Sequence, residues 1–209
     1  PAPLFADDVD VRQQTGGHRQ LVVAWRPGQE SSGELLPGFA VCTRETYVVD
    51  LWAGDERAHW GRLRRSYRAL IHRTERGYDL AVLSAMPLPE AEGLMARAKA
   101  LHVQCAGRQT RSDRTWSYQA EWLSAGYGLL AIATAKGSGA DIGFSYSVRF
   151  KDWAAYFSGA SRAPNVQHAI QWHMMRALRG DGQTQYYELG RGASVGDSEK
   201  AQHIAFFKS

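Results

Sequence analysis

Two rhythms run through the pattern of apolar and polar positions, and an element ends where one rhythm gives way to the other. The helical period is plainest over Asp55–Arg76, where Trp60, Leu63, Tyr67, Leu70 and Ile71 form one apolar stripe. That spacing predicts a single helix, stopped by Gly77 in the left-handed turn that glycine favours. A second helix is predicted over Glu90–Val103, with Leu94, Ala98 and Leu101 inward. Ser112 is placed to cap a third, which runs to about Ser124 and carries Trp116, Tyr118 and Trp122. Pro164 suits the first position of a fourth, in which Val166, Ile170, Met174 and Leu178 recur every four residues before Gly180 ends it. Asp197–His203 reads as a short fifth helix.

Runs rich in Val, Ile, Tyr and Thr predict strands at Gln20–Arg26, Phe39–Cys42, Thr46–Leu51 and Tyr78–Leu83. After Gly126 and Gly128 comes a hairpin, Leu129–Ala135 and Ile142–Phe150, joined by Lys136-Gly137-Ser138-Gly139. The next strand ends at Tyr156–Ser158, and Tyr186–Leu189 and Ile204–Lys208 complete the set. Residues 1–19 are polar without a period and read as loop, as does the Pro-, Gly- and Ser-rich stretch 27–38. Pro87 and Pro89 mark the expected boundary between an N-terminal part, 1–86, and a C-terminal part, 87–209.

Composition narrows the class. The 209 residues are 44% hydrophobic and 22% charged, ordinary for a globular protein. No apolar run approaches the roughly 20 residues that span a bilayer, and no basic segment followed by an apolar one opens the chain. A cytoplasmic protein is expected, although a chain beginning at Pro1 rather than Met leaves room for a lost leader. Cys42 and Cys105 lie far apart in apolar company and read as reduced core thiols. A net charge of +4 permits a phosphate-bearing partner without requiring one. Arg57, Arg62, Arg64, Arg65, Arg68, Arg73 and Arg76 crowd the faces of the 55–76 helix that the apolar stripe leaves open. They read either as a solvated face or as a basic ridge for a polyanion.

Four stretches carry a resemblance: Arg64–Gly77 (RRSYRALIHRTERG), Tyr156-Phe157-Ser158-Gly159-Ala160-Ser161, Tyr187-Glu188-Leu189-Gly190 and Phe207-Lys208. In this order they resemble acyltransferases of the GNAT superfamily, and within it the Fem-type branch, whose members make amide bonds with aminoacyl-tRNA as donor. The resemblance covers roughly residues 45–209 and rests on the shared order more than on any one motif. It implies an α/β (α+β) fold, a mixed and mostly antiparallel sheet flanked by helices, with a cleft between two splayed strands. It also implies two GNAT-like halves, the first incomplete. The chain departs from the family in having Glu188 where Asp is usual and in lacking a Phe-Gly-Gly turn after Lys208. It is shorter than a complete two-half Fem protein, so a fragment or a protein with further segments is expected.

Amide formation needs an amine held against a carbonyl, a path for its proton and a stabilised oxyanion. The resemblance places Lys208 beside the reacting ester, as the cation facing the oxyanion, with Phe206 and Phe207 excluding water. Glu188, at a strand end, is the candidate to take the amine proton. Arg114 and Tyr118 lie one helical turn apart and share a face. With Tyr156 they match the Arg/Tyr set that grips a phosphorylated acceptor in Fem-type enzymes. Ser158, Ser161 and the helix start at Pro164 form a candidate anion site, and Tyr187 and Phe207 join the substrate-binding candidates. Arg64, Arg65, Arg68 and Arg73 are the candidate tRNA contacts. The acceptor would be a primary amine on a small molecule or a peptidoglycan-precursor-like compound.

Typical GNAT enzymes carry an Arg/Gln-x-x-Gly-x-Gly/Ala turn for the pyrophosphate of acyl-CoA. After Ser161 this chain reads Arg162-Ala163-Pro164-Asn165 instead, which favours aminoacyl-tRNA over acyl-CoA as co-substrate. No other cofactor is expected. His168 and His173 are five apart, a poor chelating spacing, and no HExxH motif or cysteine pair accompanies them, so no zinc site is expected. The GxxxxGK[ST] and GxGxxG motifs are absent. A non-catalytic binding protein on the same scaffold is the reading from another class.

Overall fold

The structure, a computed structural model, describes residues 13–15, 18–20 and 46–191. Residues 47–190 form one compact unit. Separately, β1 (Gln13–Thr15) and β2 (His18–Gln20) make a small antiparallel hairpin in a stretch whose polar sequence reads as loop. The pairing there is between main chains, which apolar patterning does not report.

Within the compact unit the elements follow as β3 (Thr46–Asp50), α1 (Glu56–Arg62), α2 (Arg65–Gly77), β4 (Tyr78–Leu83), α3 (Leu88–Ala106) and α4 (Asp113–Ser124). Then come β5 (Gly128–Ala135), β6 (Asp141–Phe150), β7 (Trp153–Ser161), α5 (Val166–Gly180) and β8 (Tyr186–Arg191). Six strands form one sheet in the order β3-β8-β7-β6-β5-β4. The ladders from β4 to β7 are antiparallel, and β7 and β8 are parallel, with α5 as their crossover. This is the mixed, mostly antiparallel sheet flanked by helices that the sequence implies. The boundary expected at 86/87 falls inside the compact unit, where β4 is hydrogen-bonded to β5.

Alternation along the strands sorts the core into two layers. Leu130, Ile132, Phe144, Tyr146 and Val148 face α3 and α4, meeting Met95, Ala98, Leu101, Trp116, Ala120 and Leu123. Leu129, Ala131, Ala133, Ala154 and Tyr187 face α5, meeting Val166, Ile170, Met174 and Leu178. The four-residue repeat therefore marks the buried stripe of α5. Outside α5, Trp60, Leu63 and Ile71 pack on Ala169 and Trp172.

Four local expectations need correcting. The helix expected over 55–76 is two helices, because Leu63 and Arg64 both take extended ψ of 140°. The apolar stripe runs across the break since Trp60, Leu63 and Ile71 share one packing partner, α5. Gly77 is the last helical residue and does not enter the left-handed region, the chain passing straight into β4. Pro164 precedes α5 rather than opening it; Asn165 is the N-cap, with φ of 66°. Ser112, by contrast, caps α4 as expected, accepting from the Thr115 N–H at 3.3 Å. Cys105 is exposed near the end of α3 rather than in the core. The strands expected at 20–26, 39–42 and 204–208, the helix at 197–203, and Cys42 lie outside the described residues, save that Gln20 ends β2.

Candidate functional site

The site begins with a short ladder. Among the described residues β7 and β8 pair at three positions, Trp153↔Tyr186, Ala154↔Tyr187 and Ala155↔Glu188. β7 then continues to Ser161 on β6, while β8 continues to Arg191 with β3 as its other neighbour. The strands are held together at their starts and part beyond Ala155 and Glu188.

A bulge sits at that point. The β6–β7 register passes from Tyr146↔Ser158 to Ser147↔Tyr156, so Phe157 has no partner in it. The extra residue breaks the alternation. Phe157 meets Trp122 and Tyr146 edge to face, at 6.0 and 6.4 Å, and Ser158 bonds Gln119, so both neighbours lie on the α4 face. Phe157 stays 40% exposed. Glu188 follows Tyr187, which faces α5, and so alternates to the face bearing Phe157 and Ser158.

On that face α4 supplies a row of side chains one turn apart. Arg114 Nε donates to the Tyr118 hydroxyl at 2.6 Å, its guanidinium 5.2 Å from the ring centroid. Tyr118 stacks on Trp122 at 6.4 Å and 16°, and Trp122 reaches Phe157. Below them Ser158 donates to Gln119 Oε1 at 3.1 Å, and Tyr146 donates to the Gln119 carbonyl at 2.8 Å. Arg111, from the loop before α4, donates through Nη2 to the Phe157 carbonyl at 3.1 Å and through Nη1 to His102 Nε2 at 3.1 Å. Burial, then the Arg111 charge, lowers the His102 pKa below its ordinary value. The ring is thus a neutral acceptor at Nε2.

The other face is closed by a polar network. The Tyr187 hydroxyl lies 2.9 Å from Ser147 Oγ and donates to Gln171 Oε1 at 2.8 Å, while Gln171 donates to Ser145 at 3.0 Å. Burial pushes the Tyr187 phenol upward, so it acts as a neutral hydroxyl. Tyr156 packs on this α5 side. Its phenol too is raised by burial, with the Arg111 charge opposing. Gly159 makes room for it: a Cβ there would stand 2.9 Å from the Tyr156 hydroxyl and 2.8 Å from the Phe144 carbonyl oxygen.

The fold thus brings Arg114, Tyr118, Ser158 and Glu188 to one face of the splay, and Tyr156 and Tyr187 to the other. Ser158 turns to Gln119 on the α4 face, whereas Ser161 stands beside Gly143 on the face covered by Val166 and Ile170 of α5, so the two serines of the expected anion site lie on opposite faces. Arg64, Arg65 and Arg73 are exposed on or beside α2 and Arg68 is half-buried. Arg64 leans over the Tyr67 ring at 5.4 Å. Lys208 and Phe207 lie outside the described residues. Sequence reasoning missed Arg111, His102 and Gln119. The signal for the last was a polar side chain at a position of the buried α4 stripe, three after Trp116 and four before Leu123.

This arrangement has relatives of known structure. The chain is similar to FemX, with a TM-score of 0.60 at 12% identity over 78% of this chain and 57% of that one. It is similar to L-PGS from Bacillus licheniformis, at 0.53, 17%, 74% and 49% in the same terms. It is also similar to the C-terminal domain (DUF2156) of a putative lysylphosphatidylglycerol synthetase from Agrobacterium fabrum, at 0.51, 15%, 78% and 50%. The chain has a GNAT-like fold of the Fem type. In that fold α5 is the crossover between the two parting strands. The chain spans between 49% and 57% of the length of these structures. No family model and no curated protein matches it.

Proposed function

We propose that this chain is an acyltransferase that forms an amide bond, taking an aminoacyl group from aminoacyl-tRNA and passing it to a primary amine. The observation that carries the reading is the three-pair ladder of β7 and β8, after which the strands part at Glu188 and the Phe157 bulge. A gap of this kind lets an ester carbonyl and an amine lie side by side between main chains that are no longer bonded to each other. The similarity to FemX supports the choice of donor.

In this reading the acceptor amine attacks the ester carbonyl directly, with no covalent enzyme intermediate: the C–N bond forms, the ester C–O bond breaks, and the terminal ribose oxygen of the tRNA leaves as a hydroxyl after taking a proton. Glu188 takes the amine proton, directly or through water. Lys208 faces the developing oxyanion. Arg114, with Tyr118 fixed to it, holds a phosphate or carboxylate of the acceptor, for which a guanidinium is the suited group. Trp122 and Phe157 wall the approach. Tyr156, Ser158 and Tyr187 shape the pocket through neutral hydroxyls. Arg64, Arg65, Arg68 and Arg73 meet the tRNA backbone.

The test is amide formation from radiolabelled aminoacyl-tRNA pools against acyl-CoA, each with and without RNase. Product that RNase abolishes supports the reading. Product that survives RNase and needs the thioester makes the chain an acyl-CoA-dependent N-acyltransferase. Ligand binding with neither product points to a non-catalytic scaffold.

A further inference from the structure

The bulge leaves Phe157 without a partner in the β6–β7 register, and a side chain from a distant loop reaches its carbonyl. Arg111 stands 46 positions before Phe157 in the chain, yet its Nη2 reaches the Phe157 carbonyl at 3.1 Å. A guanidinium has five donors fixed in a plane, so a second contact decides where the first can point. Here the second contact is His102 Nε2 at 3.1 Å. His102 is itself immobilised on α3, its ring edge-on to Trp116 of α4 at 5.5 Å and 6.5 Å from Phe144 of β6.

His102 accepts at Nε2, so its proton is on Nδ1, and that atom is buried without a hydrogen-bond partner. An orphaned donor of this kind costs free energy, and one arrangement accounts for keeping it: Nε2 is needed as an acceptor for Arg111. One turn along α4 from Trp116, Gln119 holds the neighbouring Ser158 hydroxyl with Oε1 while its Nε2 is likewise buried and unpartnered. Two successive bulge residues, Phe157 and Ser158, are therefore clamped from the helix layer by polar groups that bear an unmet hydrogen-bonding cost.

We infer that Arg111 is a positioning residue, oriented by the neutral imidazole of His102, that fixes the β7 bulge and with it the wall of the gap between β7 and β8. It acts through the Phe157 main chain, and its charge also reaches the Tyr156 phenol on the other side of the strand. The role in a reaction rests on the function proposed above; the clamp on the bulge does not. Protonation of His102 would turn Nε2 from acceptor to donor and set two cations against each other. Arg111 is the charged group facing the ring; the Trp116 and Phe144 faces against it carry no charge.

The experiment is amide hydrogen exchange along β7 in the full chain, read against β5 and β6, for the wild type and for R111Q, R111K, H102Q and H102F. R111Q is expected to raise exchange at Phe157 and Ser158 by about tenfold, the loss of one charge-assisted bond, with β5 unchanged. H102Q keeps an acceptor oxygen and is expected to stay near wild type, whereas H102F matches R111Q. After correction for intrinsic rates, wild-type bulge protection falls on acidification below the ordinary histidine range, and H102Q removes that dependence. Bulge exchange in R111Q within about twofold of wild type overturns the inference. Should R111Q not fold, equal exchange in H102Q and H102F overturns it instead. If transfer is measurable, R111K lowers kcat more than it changes KM. If no transfer is found while the bulge loosens as described, the clamp stands and the function reading falls.

Discussion

Arg149 donates from Nη1 to Asp181 Oδ2 at 2.5 Å, tying the end of β6 to the end of α5. The other carboxylate oxygen accepts from the N–H groups of Gln183 and Thr184 at 2.8 and 3.1 Å. One side chain thus shapes the turn that delivers the chain into β8, and so sets where β8 meets β7. Asp181→Ala strands a guanidinium whose side chain is only 23% exposed and removes the acceptor for two main-chain donors. It is expected to cost about 2 kcal/mol of stability in urea denaturation. A loss under about 0.5 kcal/mol would mean that the turn is held by other groups.

Gly159→Ala is expected to be costly although the change is one methyl group. The new carbon would meet the Phe144 carbonyl oxygen at 2.8 Å and the Tyr156 hydroxyl at 2.9 Å. The first neighbour is main chain in the middle of a ladder and cannot move away cheaply. Overpacking of this kind costs about 1–3 kcal/mol, readable in thermal unfolding, and Tyr156→Phe in the same chain should recover only part of it.

Acid should weaken the fold through its histidines. His102 is held below the ordinary 6.5 by burial and then by Arg111. His168 is held below it by burial, partly opposed by its bond to the Asn165 carbonyl. For such groups the unfolded chain takes up protons near 6.5 while the native chain does not. Stability is therefore full above 6.5 and falls as pH drops towards the native values. Chemical denaturation between about pH 7.5 and pH 5, which brackets that value, should show the decline, with a shallower slope in His102→Gln.

The arginines of α2 give a salt-dependent prediction. Replacing Arg65, Arg68 and Arg73 together by Ala should weaken tRNA binding across sequences rather than for one tRNA. The slope of log affinity against log salt should shrink by roughly 0.7–0.9 for each phosphate that is no longer neutralised. An unchanged slope, or no tRNA binding at all, removes α2 from the tRNA contact proposed above.

Lys208→Ala is expected to raise the barrier to transfer by about 2–4 kcal/mol if the ammonium faces the oxyanion, with little change in acceptor affinity. A rate near wild type removes Lys208 from that role.

The sheet was legible in the sequence where its two faces differ in composition. The β5–β6 hairpin shows this, since Phe144, Tyr146 and Val148 alternate with Ser145 and Ser147, and its turn is marked by Gly137 and Gly139. The α1–α2 break was not legible: no Pro stands at Leu63–Arg64, Gly61 lies inside the last turn of α1, and both helices turn their apolar sides to the same partner. Glu188 and Ser158 were candidates because they lie in stretches that carry the resemblance, and Arg114 and Tyr118 because they stand one helical turn apart; the structure puts all four on one face, and their roles stay those proposed above. The clamp beneath the bulge could not be picked out. Arg111, His102 and Gln119 come from a loop and two helices, and their relation exists only once α3 and α4 have packed on the sheet. Periodicity marks which way a side chain faces, not which polar atom it will find there.

β8 is bonded to β3 on its outer side and to β7 over three pairs only. Past Ala155 and Glu188, β7 and β8 share no pairing among the described residues, while Val49, Leu51, Tyr187 and Leu189 keep the outer pair seated against α5. Beyond those three pairs the width of the opening is left to the side chains that line it rather than to main-chain bonds between the two strands. In the function proposed above, single substitutions along the rim would then change which girth of guest is admitted, with the scaffold left as it is.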